Sequence, residues 1–219
     1  DAAGVELTCS DPALPVDLTN LVHRAATTFL RAANVAGGVR IHLEKRIPLA
    51  AGLGGGSSNA AQTLLGLNEM FEHPLTAEQL TGLGAFLGSD VPFFLQSGPA
   101  LATGRGEIVR PLKTLPALHG AFIVLVYPGF GISTAWAYQQ LSRFPTALNG
   151  EPGRAERLAS LLQAGGLAKA APDFYNALEC PALEKYPLLR ILQEFMRKHG
   201  ALVTLMSGSG STTFAIVAT

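Results

Sequence analysis

Cysteine is nearly absent from this 219-residue sequence, and neither sign of charge is in excess. Cys9 and Cys180 are too few and too far apart for a metal-binding spacing or a disulfide framework, so a cytoplasmic location is expected. The 16 basic and 16 acidic residues balance to a formal net charge of +0. Without a block of like charge, the sequence excludes the electrostatic footprint of a protein that binds nucleic acid or an anionic membrane.

Long apolar runs are also missing. No stretch approaches 18 uninterrupted apolar residues and no signal peptide opens the chain, which excludes a predicted membrane span and gives no sign of secretion. Hydrophobic residues nevertheless make up 48% of the chain and charged residues only 15%, which is typical of a packed globular protein. We therefore expect small-molecule partners, no nucleic acid and no membrane, and a monomer or weak homodimer.

The most informative segment is rich in glycine. Residues 48–58 contain Gly52, Gly54, Gly55 and Gly56, which let the backbone approach a bulky anion and direct N–H groups at it. Ser57, Ser58 and Asn59 are suited to capping a helix over residues 59–72, whose apolar residues recur with helical spacing. Because a helix N-terminus attracts phosphate, loop and helix together predict a site for nucleotide phosphates.

Two better-known phosphate loops do not fit this segment. The Walker A pattern requires a lysine directly after its last glycine, and Ser57 follows Gly56. The dinucleotide pattern started at Gly52 also meets Ser57 where its third glycine should stand. A flexible surface turn is the alternative interpretation, and the periodic helix that follows at once argues against it.

The rest of the chain predicts an α+β fold. Helices are predicted over residues 19–33, 76–87, 134–141, 155–162 and 183–198, and strands over 39–43, 100–102, 107–109, 121–127, 201–206 and 212–218. The continuous apolar run at 121–127 indicates a buried strand. The proline-containing stretch 111–120 is the best candidate for a linker, and it divides the chain into predicted domains at 1–113 and 114–219.

Two charged residues are candidates for phosphoryl-transfer chemistry. Asp90 lies between a Gly-Ser break and an apolar run, so we expect its carboxylate to be partly withdrawn from water, where it can accept the proton of an acceptor hydroxyl. Lys45 lies just before the glycine loop and can neutralise phosphate charge. The alternatives are a turn-forming aspartate and a solvated lysine at the end of a strand.

Two features of the second half leave alternatives open. The turn Ser207–Ser211 joins two apolar strands, either as a plain hairpin or as a second glycine loop that closes a site. Trp136 and Tyr138 belong either to the core face of a helix or, for Tyr138, to a surface that stacks on a planar base.

These segments together resemble the GHMP kinases. Residues 48–61 resemble the family's second motif and residues 206–216 its third, while 87–95, 104–107 and 128–134 resemble the branch that acts on a cytidine-linked erythritol in non-mevalonate isoprenoid (terpenoid) synthesis. The resemblance implies an ATP-dependent small-molecule kinase that uses Mg²⁺. It also implies an S5-like N-terminal domain, a ferredoxin-like C-terminal domain and an active site between them.

Site residues follow from the same resemblance. Asp90 matches the family's catalytic base, and Thr134, Tyr138 and Gly208 match positions on the substrate side. No metal ligands are implied. The residues that match the nucleotide site are Asn20, Lys45, Pro48, Leu49, Ala50, Ala51, Gly52, Leu53, Gly54, Gly55, Gly56, Ser57, Ser58 and Asn59.

Two departures from the family pattern qualify this implication. The family's first motif, a Lys-x-Asn strand, has no counterpart after Asp1, so we expect an N-terminally truncated fragment whose own activity is open. Asn176-Ala177-Leu178-Glu179 stands where an Asn-Asp-Leu-Glu run is common. The alternatives are a GHMP kinase for homoserine, phosphomevalonate or a sugar, and a catalytically impaired chain that only binds nucleotide.

Overall fold

A computed structural model describes residues 4–218 of the chain. Asp1, where the predicted truncation and the first predicted domain begin, and Thr219, where the second predicted domain ends, lie outside these residues. The strands are β1 (Val5–Cys9), β2 (Val39–Leu43), β3 (Ala100–Thr103), β4 (Ile108–Pro111), β5 (Phe122–Val126), β6 (Val203–Met206) and β7 (Thr213–Val217). The helices are α1 (Leu21–Ala32), α2 (Gly55–Met70), α3 (Ala77–Leu87), α4 (Thr134–Leu141), α5 (Pro145–Asn149), α6 (Arg154–Gln163), α7 (Leu167–Ala170), α8 (Glu179–Lys185) and α9 (Pro187–Lys198).

The chain divides into two compact units. The first unit contains the chain up to Ile47 together with Gly54–Pro111, and the second contains Pro48–Leu53 together with the chain from Leu112 onward. The glycine loop thus contributes its first six residues to the second unit and the remainder to the first. The domain limits 1–113 and 114–219 stay a prediction, and the mixture of helices and strands confirms the α+β class.

The first unit is built around α1 and α2. β1 and β2 pair in parallel, with Val5 opposite Val39 and Cys9 opposite Leu43, and α1 connects them. The core where α1 packs on α2 contains four fully buried alanines, whose small side chains let helices approach closely: Ala25, Ala26, Ala60 and Ala61. This packing holds the N-terminal end of α2 in place.

The start of α2 differs from the prediction. The helix begins at Gly55 and not at Asn59, so the second half of the glycine run forms its first turn. The capping role predicted for Ser57, Ser58 and Asn59 is wrong, because Gly54 occupies the N-cap position in a left-handed conformation, with φ +63° and no side-chain cap. Glycine adopts this conformation without the penalty of a Cβ, which is why the helix can start inside the loop.

α3 agrees closely with its predicted range. Thr76 caps the helix, its side chain accepting from the Gln79 N–H while the Gln79 side chain accepts from the Thr76 N–H. This reciprocal pair satisfies N–H groups that the first helical turn leaves without partners. Gly88 then ends the helix, and a short 3₁₀ turn at Pro92–Leu95 packs against α2 and α3.

The second unit contains an antiparallel sheet in the order β5-β7-β6, with α9 packed on β6 and β7. The prediction of a buried strand at 121–127 is wrong, because β5 lies at the edge of the sheet and Phe122, Ile123, Val124 and Leu125 are all exposed. An apolar run of this length suits either a central strand or an uncovered edge, and the sequence pattern does not distinguish them.

The helix predicted over 183–198 is also wrong. Its residues belong to two helices, α8 and α9, which are separated at Tyr186 by a non-helical conformation of φ −125° and ψ 75°. Pro187 explains the break, because the residue before a proline is disfavoured in the helical region. Among the described residues, no helix has both the length and the apolar character needed to cross a membrane.

Candidate functional site

The N-terminus of α2 offers unpaired backbone donors in the first unit. No side chain caps the helix and no acidic residue lies in its first turn, so the N–H groups of Gly55, Gly56 and Ser57 precede the first intrahelical bond, from the Ser58 N–H to the Gly54 carbonyl. A helix end of this kind carries partial positive charge and binds anions.

Lys45 lies beside this helix end. Its Nζ donates to Asn59 Oδ1 at 3.3 Å, and a Cβ placed on Gly55 would lie only 2.9 Å from the same Nζ. The backbone N–H of Lys45 donates to Ser10 Oγ at 2.8 Å, which anchors the residue at the end of β2. Burial lowers the pKa of Lys45, although Cys9 and Asp11 oppose the shift. Lys45 is partly buried and not fully solvated.

The segment that follows Asp90 also reaches this helix end. The ring of Phe94 packs against the loop so closely that a Cβ on Gly54 would lie 2.6 Å from its Cζ atom. Asp90 itself is exposed, so the expected withdrawal of its carboxylate from water is wrong. Its Oδ1 would lie 3.2 Å from a Cβ on Gly106, which places glycine backbone from the β3–β4 turn directly beside the carboxylate.

Asn20 caps α1 in the same unit. Its Oδ1 accepts from the Val22 N–H at 2.9 Å and its Nδ2 donates to the Pro15 carbonyl at 2.8 Å. The side chain is buried, and both of its polar atoms are used in these two bonds. The next residue, Leu21, packs against Gly56, where a Cβ would lie 3.5 Å from Leu21 Cδ1.

The first part of the glycine loop is held by three hydrogen bonds within the second unit. The carbonyl of Ala50 accepts from the Ile132 N–H at 3.0 Å, that of Ala51 from the Thr212 N–H at 3.1 Å, and that of Gly52 from Ser207 Oγ at 2.8 Å. Since the N–H and C=O of a trans peptide point in opposite directions, the N–H groups that follow these carbonyls point away from the three partners.

The glycine-serine turn at Ser207–Ser211 is a hairpin connection between β6 and β7, and it also holds this loop. Gly52 has a φ of +76°, and a Cβ there would lie 2.0 Å from the Ser207 carbonyl oxygen. Gly208 approaches the loop from the other side, with 3.0 Å between its Cβ position and the Gly52 carbonyl oxygen. Only glycines allow the two segments to approach this closely.

The predicted substrate residues Thr134 and Tyr138 both belong to α4, and Thr134 is its first residue. Thr134 Oγ1 lies 2.9 Å from Ser209 Oγ, which connects the helix to the same hairpin, and Ser133 caps the helix. Tyr138 is 62% exposed, which excludes the core alternative for its ring. Trp136 is half-buried against Tyr186, with Lys185 Nζ 4.3 Å from its ring centre.

Sequence reasoning missed several residues that position the loop. These are Ile132, Asn176, Ser207, Ser209 and Thr212, which act through backbone atoms or through small hydroxyl and amide groups. Their signals in the sequence were residues 128–134, the run Asn176–Glu179 and the second glycine-serine cluster, which identified these segments without their partners. Among residues 4–218, no group of three or more His, Cys, Asp and Glu side chains is arranged to hold a metal ion.

The uncapped helix N-terminus, the glycine loop and the partly buried lysine belong to an α+β protein, and features of this kind are typical of proteins that bind phosphate. The model of the GHMP kinases N terminal domain matches residues 20–98, and that of the GHMP kinases C terminal matches residues 147–219. The chain belongs to the GHMP kinases, a family of small-molecule kinases.

Curated relatives support this assignment across nearly the whole chain. The sequence is 42% identical over 217 residues to a 4-diphosphocytidyl-2-C-methyl-D-erythritol kinase of Gloeobacter violaceus, covering 98% of this chain and 71% of that protein. It is 39% identical over 214 residues to a kinase of the same name from Shouchella clausii, with 98% and 70% covered.

Solved structures show the same fold. A crystal structure of a 4-(cytidine 5'-diphospho)-2C-methyl-D-erythritol kinase superposes with a TM-score of 0.74 at 37% identity, covering 99% of this chain and 74% of that one. A homoserine kinase from Cytophaga hutchinsonii reaches a TM-score of 0.83 at 22% identity, covering 100% and 74%. At this lower identity the second similarity supports the fold alone.

Proposed function

We propose that this protein transfers a phosphoryl group from ATP to a hydroxyl of 4-diphosphocytidyl-2-C-methyl-D-erythritol in non-mevalonate isoprenoid biosynthesis. The observation that carries the ATP half of the proposal is the uncapped start of α2 with Lys45 Nζ beside it. The acceptor half is supported by the curated relatives of that name at 39–42% identity.

The residues at the start of α2 suit the phosphates of a nucleoside triphosphate. The N–H groups of Gly55, Gly56 and Ser57 are the donors that oxygen anions require, and the absence of an acidic residue in the first turn leaves the positive end of the helix uncompensated. A Cβ on Gly55 would lie 2.9 Å from both Lys45 Nζ and Ile47 Cγ2, so the glycine lets these two side chains lie close to the start of the helix. Lys45 supplies the full charge that complements these partial charges.

Phosphoryl transfer requires positioning and charge neutralisation more than covalent help from the protein. Asp90 is the carboxylate proposed to accept the proton of the acceptor hydroxyl. Its exposure in the free chain leaves it reachable by a substrate, and the neighbouring Gly106 leaves space next to Oδ1. Mg²⁺ is proposed to arrive with the ATP phosphates, because this ion is commonly held by few protein ligands and by substrate oxygens.

The substrate side is assigned to Thr134, Tyr138 and Gly208. The exposed ring of Tyr138 offers a face on which a pyrimidine base can stack, and Thr134 lies at the beginning of the same helix. Asn20 contributes indirectly in this proposal, since it caps α1 and its neighbour Leu21 supports Gly56. The cytoplasmic location and the monomer or weak homodimer remain predictions.

The acceptor is tested by ADP release from the 219-residue chain in parallel assays with four alcohols. We expect release with 4-diphosphocytidyl-2-C-methyl-D-erythritol and background release with homoserine, phosphomevalonate and galactose. Release with one of the other three alcohols would contradict the acceptor assignment. ATP binding without release on any acceptor would contradict transfer and support the alternative of a catalytically impaired nucleotide-binding chain.

The base assignment is tested with Asp90→Asn. This substitution should lower the transfer rate by about 100-fold or more, the usual contribution of a general base, while ATP affinity stays the same. Asp17→Asn is the matched control, because Asp17 is also exposed and its amide replacement can still accept from the Thr19 N–H. A transfer rate near the original in Asp90→Asn would show that another group takes the proton.

A further inference from the structure

Asn176, which precedes α8, and Glu179, its first residue, bond to the end of β6 that leads into the glycine-serine hairpin. Glu179 Oε1 accepts from the Met206 N–H at 2.6 Å, and Asn176 Nδ2 donates to the Met206 carbonyl at 2.8 Å and to the Gly208 carbonyl at 2.7 Å. Both backbone polar groups of Met206 are therefore held by these two side chains. The function proposed above uses Gly208 but assigns no role to Asn176 or Glu179.

The topology explains why side chains are needed here. Among residues 4–218, β6 is an edge strand in the order β5-β7-β6, so its backbone groups on the side away from β7 have no strand partner there. Met206 is 1% exposed, and a buried backbone group without a partner is costly. Asn176 and Glu179 take the place of the absent strand, and they fix where the turn begins.

The two side chains are themselves held firmly. Asn176 Oδ1 accepts from the Leu178 N–H at 3.0 Å, and Glu179 also accepts from Gln193 Nε2 on α9. Burial raises the pKa of Glu179, while the hydrogen bonds from Met206 and Gln193 and the charge of Arg197 oppose the shift. A carboxylate kept in such surroundings needs a structural reason, and its bond to Met206 provides one.

The turn is connected to the glycine loop by hydrogen bonds and by close backbone contact. Ser207 and Thr212 bond to the carbonyls of Gly52 and Ala51, and Thr134 bonds to Ser209. The 2.0 Å between the Ser207 carbonyl oxygen and the Cβ position of Gly52 shows that the two backbones are already in contact. A turn that shifts by about 1 Å must therefore either move the loop or break these hydrogen bonds, because their strength falls steeply with distance and angle.

We propose that Asn176 and Glu179 are positioning residues that set the affinity of the glycine loop for ATP by fixing the turn Ser207–Ser211. The inference rests on the proposed ATP binding of this loop. Neither side chain bonds to a residue predicted to bind nucleotide. Both act on the glycine loop only through the turn.

The test compares Asn176→Asp with Glu184→Gln in the full 219-residue chain. Asn176→Asp keeps the acceptor for Leu178 but replaces the donor with an oxygen that repels two carbonyls. Glu184 is an exposed residue on α8 that pairs with Arg143. We expect the Kd for ATP, measured by calorimetric titration on folded protein, to rise about tenfold in Asn176→Asp and to stay unchanged in Glu184→Gln.

Hydrogen exchange provides the readout that does not depend on ATP. The Thr212 and Ile132 amides bond to loop carbonyls, so both should exchange faster in Asn176→Asp, whereas amides of α2 should keep their rates. Uniformly faster exchange across both units, with an unchanged Kd, would overturn the positioning role in favour of a general structural one. Failure of the unsubstituted chain to bind ATP would overturn the proposed function and the affinity role, while faster exchange at these two amides would still show that Asn176 holds the loop.

A second pair of variants tests Glu179. Glu179→Leu removes the acceptor for the Met206 N–H, and Glu179→Gln retains it. We expect Glu179→Gln to lose far less ATP affinity than Glu179→Leu, because only the glutamine can still accept the Met206 N–H. Equal losses in the two variants, or no loss in either, would overturn the assignment of this residue.

Discussion

Replacing Gly52 with alanine is the most direct test of the contact between the glycine loop and the glycine-serine turn. The new Cβ would lie 2.0 Å from the Ser207 carbonyl oxygen and 2.9 Å from the Gly210 nitrogen. Both are backbone atoms, so no side-chain rotation can relieve the overlap. Overpacking of this kind costs about 1–3 kcal/mol. The left-handed φ of +76° adds a further cost of about 1–2 kcal/mol for a residue with a Cβ.

Gly165→Ala separates these two contributions. Gly165 has a φ of +86° in the same unit, but no atom lies within 4 Å of its Cβ position, so its substitution carries the backbone cost without the overlap. The free energy of unfolding should therefore fall by about 2–5 kcal/mol in Gly52→Ala and by about 1–2 kcal/mol in Gly165→Ala. The difference, about 1–3 kcal/mol, measures the contact alone.

Urea unfolding followed by tryptophan fluorescence measures this difference, because Trp136 is the single tryptophan of the chain and lies in the same unit. ATP titration of the folded variants gives the functional counterpart, with weaker binding expected only in Gly52→Ala. Equal losses of stability in the two variants would refute the reasoning, since they would show that the loop accepts a Cβ without displacing the turn.

Three further predictions concern charge, capping and the exposed strand. Lys45→Met should weaken ATP binding about tenfold or more, because a hydrogen bond to a charged group contributes about 1.5–3 kcal/mol, whereas Arg46→Met at an exposed position should not. Because burial lowers the pKa of Lys45, the buried charge destabilises the folded chain, and Lys45→Met should raise the thermal midpoint at pH 7. This gain should disappear as the pH rises through the ordinary lysine pKa of about 10.4. A gain that persists above that pH would contradict burial of the charge as the cause. Thr76→Ala should cost about 0.5–2 kcal/mol in unfolding followed by circular dichroism, and more than Thr81→Ala on the same helix, unless the capping box contributes nothing. Ile123→Lys should leave the unfolding free energy within about 0.5 kcal/mol while lowering concentration-dependent light scattering, and unchanged scattering would show that the edge of β5 does not drive association.

The segment proposed to bind phosphate could be located from the sequence because its features are local. Four glycines in five residues, a lysine just before the loop and a periodic helix after it lie within 30 residues of each other, and local geometry alone brings them together. The prediction erred on the start of α2 because Ser57 and Ser58 are good caps in general. Instead, the left-handed Gly54 occupies the N-cap position, and the helix starts without a side-chain cap.

The supports of the loop were not predictable in this way. Ser207 and Gly52 are separated by 155 positions, and neither has a partner that periodicity can identify. The run Asn176–Glu179 was noticed only as a departure from a family pattern, and the sequence did not show that its two polar side chains bond to the backbone of an edge strand. The expected withdrawal of Asp90 from water failed for the same reason: exposure depends on which distant segments cover a residue.

The sequence by itself determined the α+β class, the limits of α1, α3, α4 and α6 to within about two residues, and the resemblance to the GHMP kinases. These depend on periodicity, on glycine and proline, and on motifs that are continuous in the chain. Only the tertiary structure decided that β5 is an exposed edge, that residues 183–198 form parts of two helices, and that a serine turn far along the chain fixes the loop's carbonyl groups. Burial and hydrogen-bond partners depend on non-local packing, which residue order alone does not specify.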